Sequence, residues 1–284
     1  MALTVNSNIA AMNALTNYQN TNRMLSQSFR RISSGLRISK AADDAAGLAV
    51  SENLDSQLRS LRQAQRNTED GMGVIQTAEG AANEVANLIK RMRELYVEAS
   101  SEALNSTERS YISTEVYALN SEIDRIGKVT EFNGISLGML SAGAAASAPN
   151  SIDVQVGINN TADDRITVSF LHLHAKTGLS IGVTPVVGAS AGIYQNSLSL
   201  LDNALTRVNT YRTKYAATQN RLSSALNNLE VYTENLGAAR SRIVDADFAH
   251  ETAEMARFQI MATAGASVLA QANQVNNGAL RLLG

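Results

Sequence analysis

Residues able to do chemistry are few, and their spacing argues against it. The stretch "HETAE", which starts at His250, puts Glu254 where a zinc-binding helix needs a second histidine. His172 and His174 share one face of a predicted strand, as two metal ligands could. No third ligand lies near them, so a pair of solvent-facing histidines is the expectation. "GMGVIQ" at 71–76 lacks the third glycine and the preceding strand of a dinucleotide loop, and reads as a flexible spot in a long helix. The chain has no cysteine, which excludes disulfides and thiolate metal sites. No Ser/His/Asp set or carboxylate pair stands out. The expectation is a protein without catalysis, cofactor or metal. Asn105 and Asn159 open Asn-x-Thr sequons, a pattern common by chance.

Charge raises a different question. "ISSGLRISKAADDAAGLAV", Ile32 to Val50, places Arg37 and Lys40 just ahead of Asp43 and Asp44. Near the other end, Arg240 and Arg242 precede Asp245 and Asp247 in the same order. Local pairing, such as Lys40 with Asp44, is the simplest use and is worth about 0.3–0.5 kcal/mol. Contacts to neighbouring copies of the chain are another.

The elements that carry these residues follow from composition and period. Both of the chain's prolines, Pro149 and Pro185, fall in the middle of its 284 residues. Each arm is therefore free of the strongest helix breaker. Ala11, Leu15, Tyr18, Asn22, Leu25, Phe29, Ile32 and Leu36 step by four and three, the period of a coiled-coil seam. Leu54, Leu58, Leu61, Met72 and Ile75 continue such a stripe, and Val85, Ile89, Met92 and Tyr96 resume it after a shift in phase. Asn105 with Glu108 forms a capping box ahead of a further helix. From Tyr194 through Leu201, Val208, Tyr215, Leu222 and Leu229 to Leu236 one seam persists, a helix roughly 60 Å long. Between the arms, Ile152, Val154, Val156 and Ile158 alternate, "NNTADD" turns, and Ile166, Val168 and Phe170 alternate again. That is a β-hairpin, and "FNG" at 132–134 marks a further turn.

The ends carry more apolar surface than one partner helix can cover. Ala262, Gly265, Leu269 and Ala272 make one stripe, and Met261, Val268, Val275 and Leu282 a second beside it. Two readings stay open: the ends pair within one chain, or other copies of the chain supply the burial. Net charge −2 leaves no basic stripe for nucleic acid. The uncharged run between Arg257 and Arg281 is broken by Gln259, Gln271, Asn273, Gln274, Asn276 and Asn277, so no membrane partner is expected. The first residues lack the basic region of a secretory signal.

Several blocks resemble bacterial flagellin, the self-assembling subunit of the flagellar filament. They are "RISSGLRISKAADDAAGLAV", "QAQRNTEDGMGVIQTAEGAANEV", "RMRELYVEA", "SEIDRIGKVTEFNG" and "NLGAARSRIVDADFAHETAEMARFQIMATAGASVLAQANQ". The resemblance implies a mainly α fold: a long antiparallel helical coiled-coil rod with a small β-hairpin region in the middle of the chain. Residues 1–42 and 240–284 would form an inner filament-core domain, with assembly carried by Leu15, Leu25, Phe29, Ile32, Leu269, Val275 and Leu282. Residues 43–139 and 193–239 would form the rod. Residues 140–192 would hold the hairpin and a vestigial variable segment, as in a minimal member without large outer domains. Many members carry proline after "QANQV", where this chain has Asn276.

Antiparallel arms would set Arg37 and Lys40 level with Asp245 and Asp247, and Asp43 and Asp44 level with Arg240 and Arg242. The resemblance further implies unfolded export by the flagellar secretion system and an extracellular filament. The implied partners are other flagellin subunits, cap and hook–filament junction proteins, an export chaperone, and an innate immune receptor that reads Arg91, Leu95 and Glu115. A hook–filament junction protein and a secreted receptor-binding module are the other functions the pattern allows.

Overall fold

The computed structural model describes residues 8–138, 150–175, 178–181 and 191–283, with the backbone alone for 150, 191, 196 and 275–283. Within these residues the chain forms helices α1 (Ile9–Ser34), α2 (Ala45–Ala99), α3 (Ser106–Val129), α4 (Ala191–Val244) and α5 (Phe248–Leu283). Two antiparallel pairs join β1 (Glu131–Phe132) to β2 (Ile135–Ser136) and β3 (Asn150–Gln155) to β4 (Arg165–Phe170). The fold is mainly α, with the hairpin in the middle of the chain.

Residues 59–233 make one compact unit. Its core is built from α2 (Ile75, Val85, Ile89, Met92, Tyr96), α3 (Val116, Ile123) and α4 (Leu201, Val208, Tyr215, Leu222). In α2 the expected change of phase does not interrupt the helix. Buried Ala64, Thr68, Ala78 and Ala82 bridge the two apolar stripes, and such small residues give a weak hydropathy signal. α3 begins at the expected capping box: Asn105 Oδ1 accepts from the Thr107 and Glu108 amides at 2.9 Å, and the Glu108 carboxylate accepts from the Asn105 amide.

The β3–β4 hairpin pairs Ile152 with Val168 and Val154 with Ile166, and β4 turns Ile166, Val168 and Phe170 into the core. "GMGVIQ" is not a flexible spot but a docking notch inside α2. A β-carbon on Gly71 would sit 2.9 Å from Cγ2 of Val154, so glycine is what lets the hairpin close on the helix. Asn133 and Gly134 both take positive φ, 50° and 76°, between β1 and β2. That is the two-residue turn whose twist suits a hairpin.

The other unit contains residues 1–58 and 234–284. The division falls within α2, between residues 58 and 59, and within α4, between residues 233 and 234. The first turns of α2 stay with the last turns of α4, where Arg240 Nε lies 3.5 Å from Asp55 Oδ1. In this unit α1 runs antiparallel to α5: the Asn8 side-chain Nδ2 donates to Ala272 O at 2.9 Å, Tyr18 lies against Gly265, and Arg31 reaches Glu251.

The seam between α1 and α5 departs from expectation. On α1 the less exposed positions include Ala11, Ala14, Tyr18, Leu25, Ser28 and Ile32, and on α5 Glu251, Met255, Phe258, Ala262, Gly265, Leu269 and Ala272. Leu15 and Phe29, read as seam residues, point outward. Alanine, serine and glycine line the contact instead, because two helix backbones approach closely only where side chains are small. The side chains of Val275 and Leu282 lie outside the described residues.

Candidate assembly surface

The joint between α1 and α2 meets the joint between α4 and α5. Gly35, with φ of 70°, ends α1 in the left-handed conformation that glycine adopts without strain. From there Leu36 bridges Asp245, the Ala246 amide donates to Gly35 O at 3.0 Å, and the Arg37 amide donates to Val244 O at 2.7 Å. The two charged stretches do run level and antiparallel at this point. Buried Ile38 and Val244 close the joint beneath them.

The side chains are used otherwise than as cross-arm pairs. The Arg37 guanidinium donates to Ile243 O at 2.6 Å, at the C-terminal end of α4 where carbonyls lack helical partners. Asp44 Oδ1 accepts from the Gly47 amide at 2.9 Å and caps α2. Asp247 Oδ1 accepts from the amides of Ala249 and His250 and caps α5. Asp43 holds the turn at 39–43; the Ser39 amide, above all, holds its carboxyl below the usual range. Among the described residues no ion pair joins Arg37 or Lys40 to Asp245 or Asp247, Asp43 or Asp44 to Arg240 or Arg242, or Lys40 to Asp44. Four helix termini meet here, and their unpaired N–H and C=O groups claim the charges first.

The ion pair that does clamp α1 to α5 is Arg31 with Glu251, 3.0 Å apart. Glu251 is 6% exposed, on the seam positions 251, 255, 258, 262, 265, 269 and 272. An acid in an apolar heptad row needs a partner, and that row was the signal available in the sequence.

Beyond the seam, α1 and α5 leave apolar faces open. Ile9, Met12, Leu15, Met24 and Phe29 on α1, and Phe248, Ile260, Met261 and Val268 on α5, are between 42% and 71% exposed. Scattered exposed apolar residues are ordinary, but nine large ones on one helix pair mark an interaction surface. A groove of about 920 Å³ beside α1 is lined by Leu25, Phe29, Arg30 and Lys40 together with Ser26, Ser33, Ser34 and Ser39. Intrachain pairing therefore accounts for one stripe of α5 and leaves the stripe of Met261 and Val268 in solvent.

Farther along, Arg91 donates to Glu115 Oε1 at 2.9 and 3.1 Å and to Glu94 at 3.2 Å, all three side chains being well exposed. Leu95 does not share that surface. It is 2% exposed and packs in the core with Met92 and Ala99. The histidines are not solvent-facing strand residues either: His172 and His174 lie past the end of β4, half-buried, with ring centres 6.2 Å apart. Among the described residues, no group of three or more His, Asp or Glu could hold a metal ion, and no helix is long and apolar enough to cross a membrane.

Long helices, charges committed to caps and clamps, and open apolar faces define a helical structural protein. Residues 5–141 match the bacterial flagellin N-terminal helical region, and residues 198–283 match the bacterial flagellin C-terminal helical region. A flagellin from Bacillus subtilis (strain 168) is 37% identical, covering 98% of this chain and 99% of its own length. A flagellin from Halalkalibacterium halodurans is 38% identical, and the flagellar filament 33 kDa core protein of Treponema phagedenis 35%, each with the same coverage. The chain belongs to the bacterial flagellin family.

Proposed function

We propose that the chain is the structural subunit of a flagellar filament, outside the cell, and that it polymerises through α1 and α5. The observation that carries this reading is the apolar surplus on that helix pair. A lone antiparallel pair buries one seam, whereas Met12, Phe29, Ile260, Met261 and Val268 need further copies to leave water. Burial at roughly 25 cal/mol per Å² of apolar area offsets the ordering entropy of the ends. Contacts between unlike faces do not close, so they extend into a helical polymer. Leu15, Leu25, Phe29, Ile32, Leu269, Val275 and Leu282 are the assembly residues on this reading. Arg37, Lys40, Asp43, Asp44, Arg240, Arg242, Asp245 and Asp247 hold the joint that presents them.

Family membership supports export in the unfolded state, a dedicated chaperone, and cap and hook–filament junction proteins as neighbours. Exposed Arg91 and Glu115 are open to an immune receptor on the monomer, and buried Leu95 would contribute only by shaping the helix beneath them. Deleting residues 1–36 or 250–284 tests the assembly model. Each truncated chain should stay folded and monomeric in sedimentation and form no filaments by electron microscopy. Filaments from either one would overturn the assignment of assembly to the ends. Short rings in place of filaments from the full chain would favour a junction protein.

A further inference from the structure

We propose that Met12, Met24 and Met261 are oxidation sites, and that peroxide converts them to sulfoxides that block assembly of the chain. This rests on polymerisation through α1 and α5, the helices that carry all three residues.

The described methionine side chains fall into two groups. Met12 is 64% exposed, Met24 50% and Met261 46%. Met92, at 0%, is closed inside the core of residues 59–233, and Met72 packs against the same core. Met255 is half-buried on the seam between α1 and α5. Among the described residues, every exposed methionine thus lies on α1 or α5, away from their seam. Met261 shares its stripe with Val268, seven residues on, and Met12 stands one turn from both Ile9 and Leu15. A thioether in such a place has two consequences. It fills an irregular apolar contact well, because its unbranched chain adapts to what it meets. It also leaves a nucleophilic sulfur open to solvent for as long as no other copy covers it. The chain has neither cysteine nor tryptophan to compete for an oxidant.

The chemistry needs one co-reactant, a peroxide. A lone pair of the methionine sulfur attacks one peroxide oxygen, and an S–O bond forms as the O–O bond breaks. The departing hydroxide takes the proton of the transferred hydroxyl and leaves as water. Sulfur has then lost two electrons and the peroxide has gained them. The product is a polar group of nearly the same size. On an exposed face it costs the monomer little, because water solvates it. Against another copy it must give up that water, and an apolar contact offers no donor in return. Oxidation therefore acts on assembly and leaves the fold of the monomer as it was. Polymerisation covers the sulfurs, so the free subunit is the vulnerable state and the filament the protected one.

Dilute hydrogen peroxide applied to the full-length monomer tests this. Peptide mass spectrometry should find the added oxygen at Met12, Met24 and Met261 well ahead of Met72 and Met92. The critical concentration of the treated protein, measured by sedimentation, should rise by about tenfold or more, with thermal unfolding of the monomer unchanged. A pair of methionine sulfoxide reductases, one for each epimer, with dithiothreitol as reductant, should restore assembly. The triple variant Met12→Leu, Met24→Leu, Met261→Leu keeps the apolar volume and should polymerise as well after peroxide as before it. Met261→Gln sets a polar side chain of similar length in the same place and should raise the critical concentration without peroxide. The proposal is overturned by oxidation no faster at these three residues than at Met92, by an unchanged critical concentration once they are oxidised, or by a triple variant as sensitive as the parent. Loss of filaments on terminal truncation would still stand in each of those cases, whereas filaments from truncated chains would remove the assembly face itself.

Discussion

A β-carbon on Gly71 would meet Cγ2 of Val154 at 2.9 Å and Cγ1 at 3.0 Å, and valine cannot swing aside. Overpacking there costs about 1–3 kcal/mol, which outweighs or cancels the roughly 1 kcal/mol that alanine gains over glycine inside a helix. Gly71→Ala should therefore fail to stabilise the protein in thermal unfolding. In a Val154→Ala background the clash is gone, and the same change should stabilise by up to about 1 kcal/mol. Identical effects in both backgrounds would mean that Gly71 is not the docking notch. Asn105 makes a simpler case. Its side chain satisfies two amides at the start of α3, so Asn105→Ala should cost about 1 kcal/mol while Asn105→Asp is tolerated. The capping box was readable from two residue types three apart. The role of Gly71 was not, because a glycine in a helical row records nothing about the strand that later lies on it.

The α1–α5 pair shows how far periodicity reaches at the level of elements. Both helices were plain from their stepping, and the second stripe on α5 announced an excess of apolar surface. Which side of α1 would turn inward was not legible. Leu15 and Phe29 share the heptad spacing with Leu25 and Ile32, yet the close approach of the backbones at Gly265 favours the small flank of Ala11, Ala14 and Ser28. That choice leaves the large side chains for other copies of the chain. Val268 is 55% exposed on the open stripe, so Val268→Glu should leave the monomer's unfolding unchanged within about 0.5 kcal/mol. Assembly should suffer instead, because a carboxylate there must be desolvated without a partner. The critical concentration for polymerisation, measured by sedimentation, should rise by about tenfold or more, equivalent to about 1.4 kcal/mol. An unchanged critical concentration would remove Val268 from the assembly face.

For the molecule as a whole, loss of filaments on truncation at either end concerns the unit of residues 1–58 and 234–284. Element lengths, the capping box, the hairpin and its turn, and the surplus of apolar surface at the ends were all set by the sequence alone. Each depends on neighbours within a few residues or on a repeat of 3.5 or 2, so local composition suffices. Tertiary structure decided the rest. It buried Leu95 while leaving Arg91 and Glu115 on the surface. It also turned Asp44 and Asp247 into caps where ion pairs were expected. Those outcomes depend on which unpaired backbone groups and which small residues meet in space, and no spacing along the chain encodes that meeting.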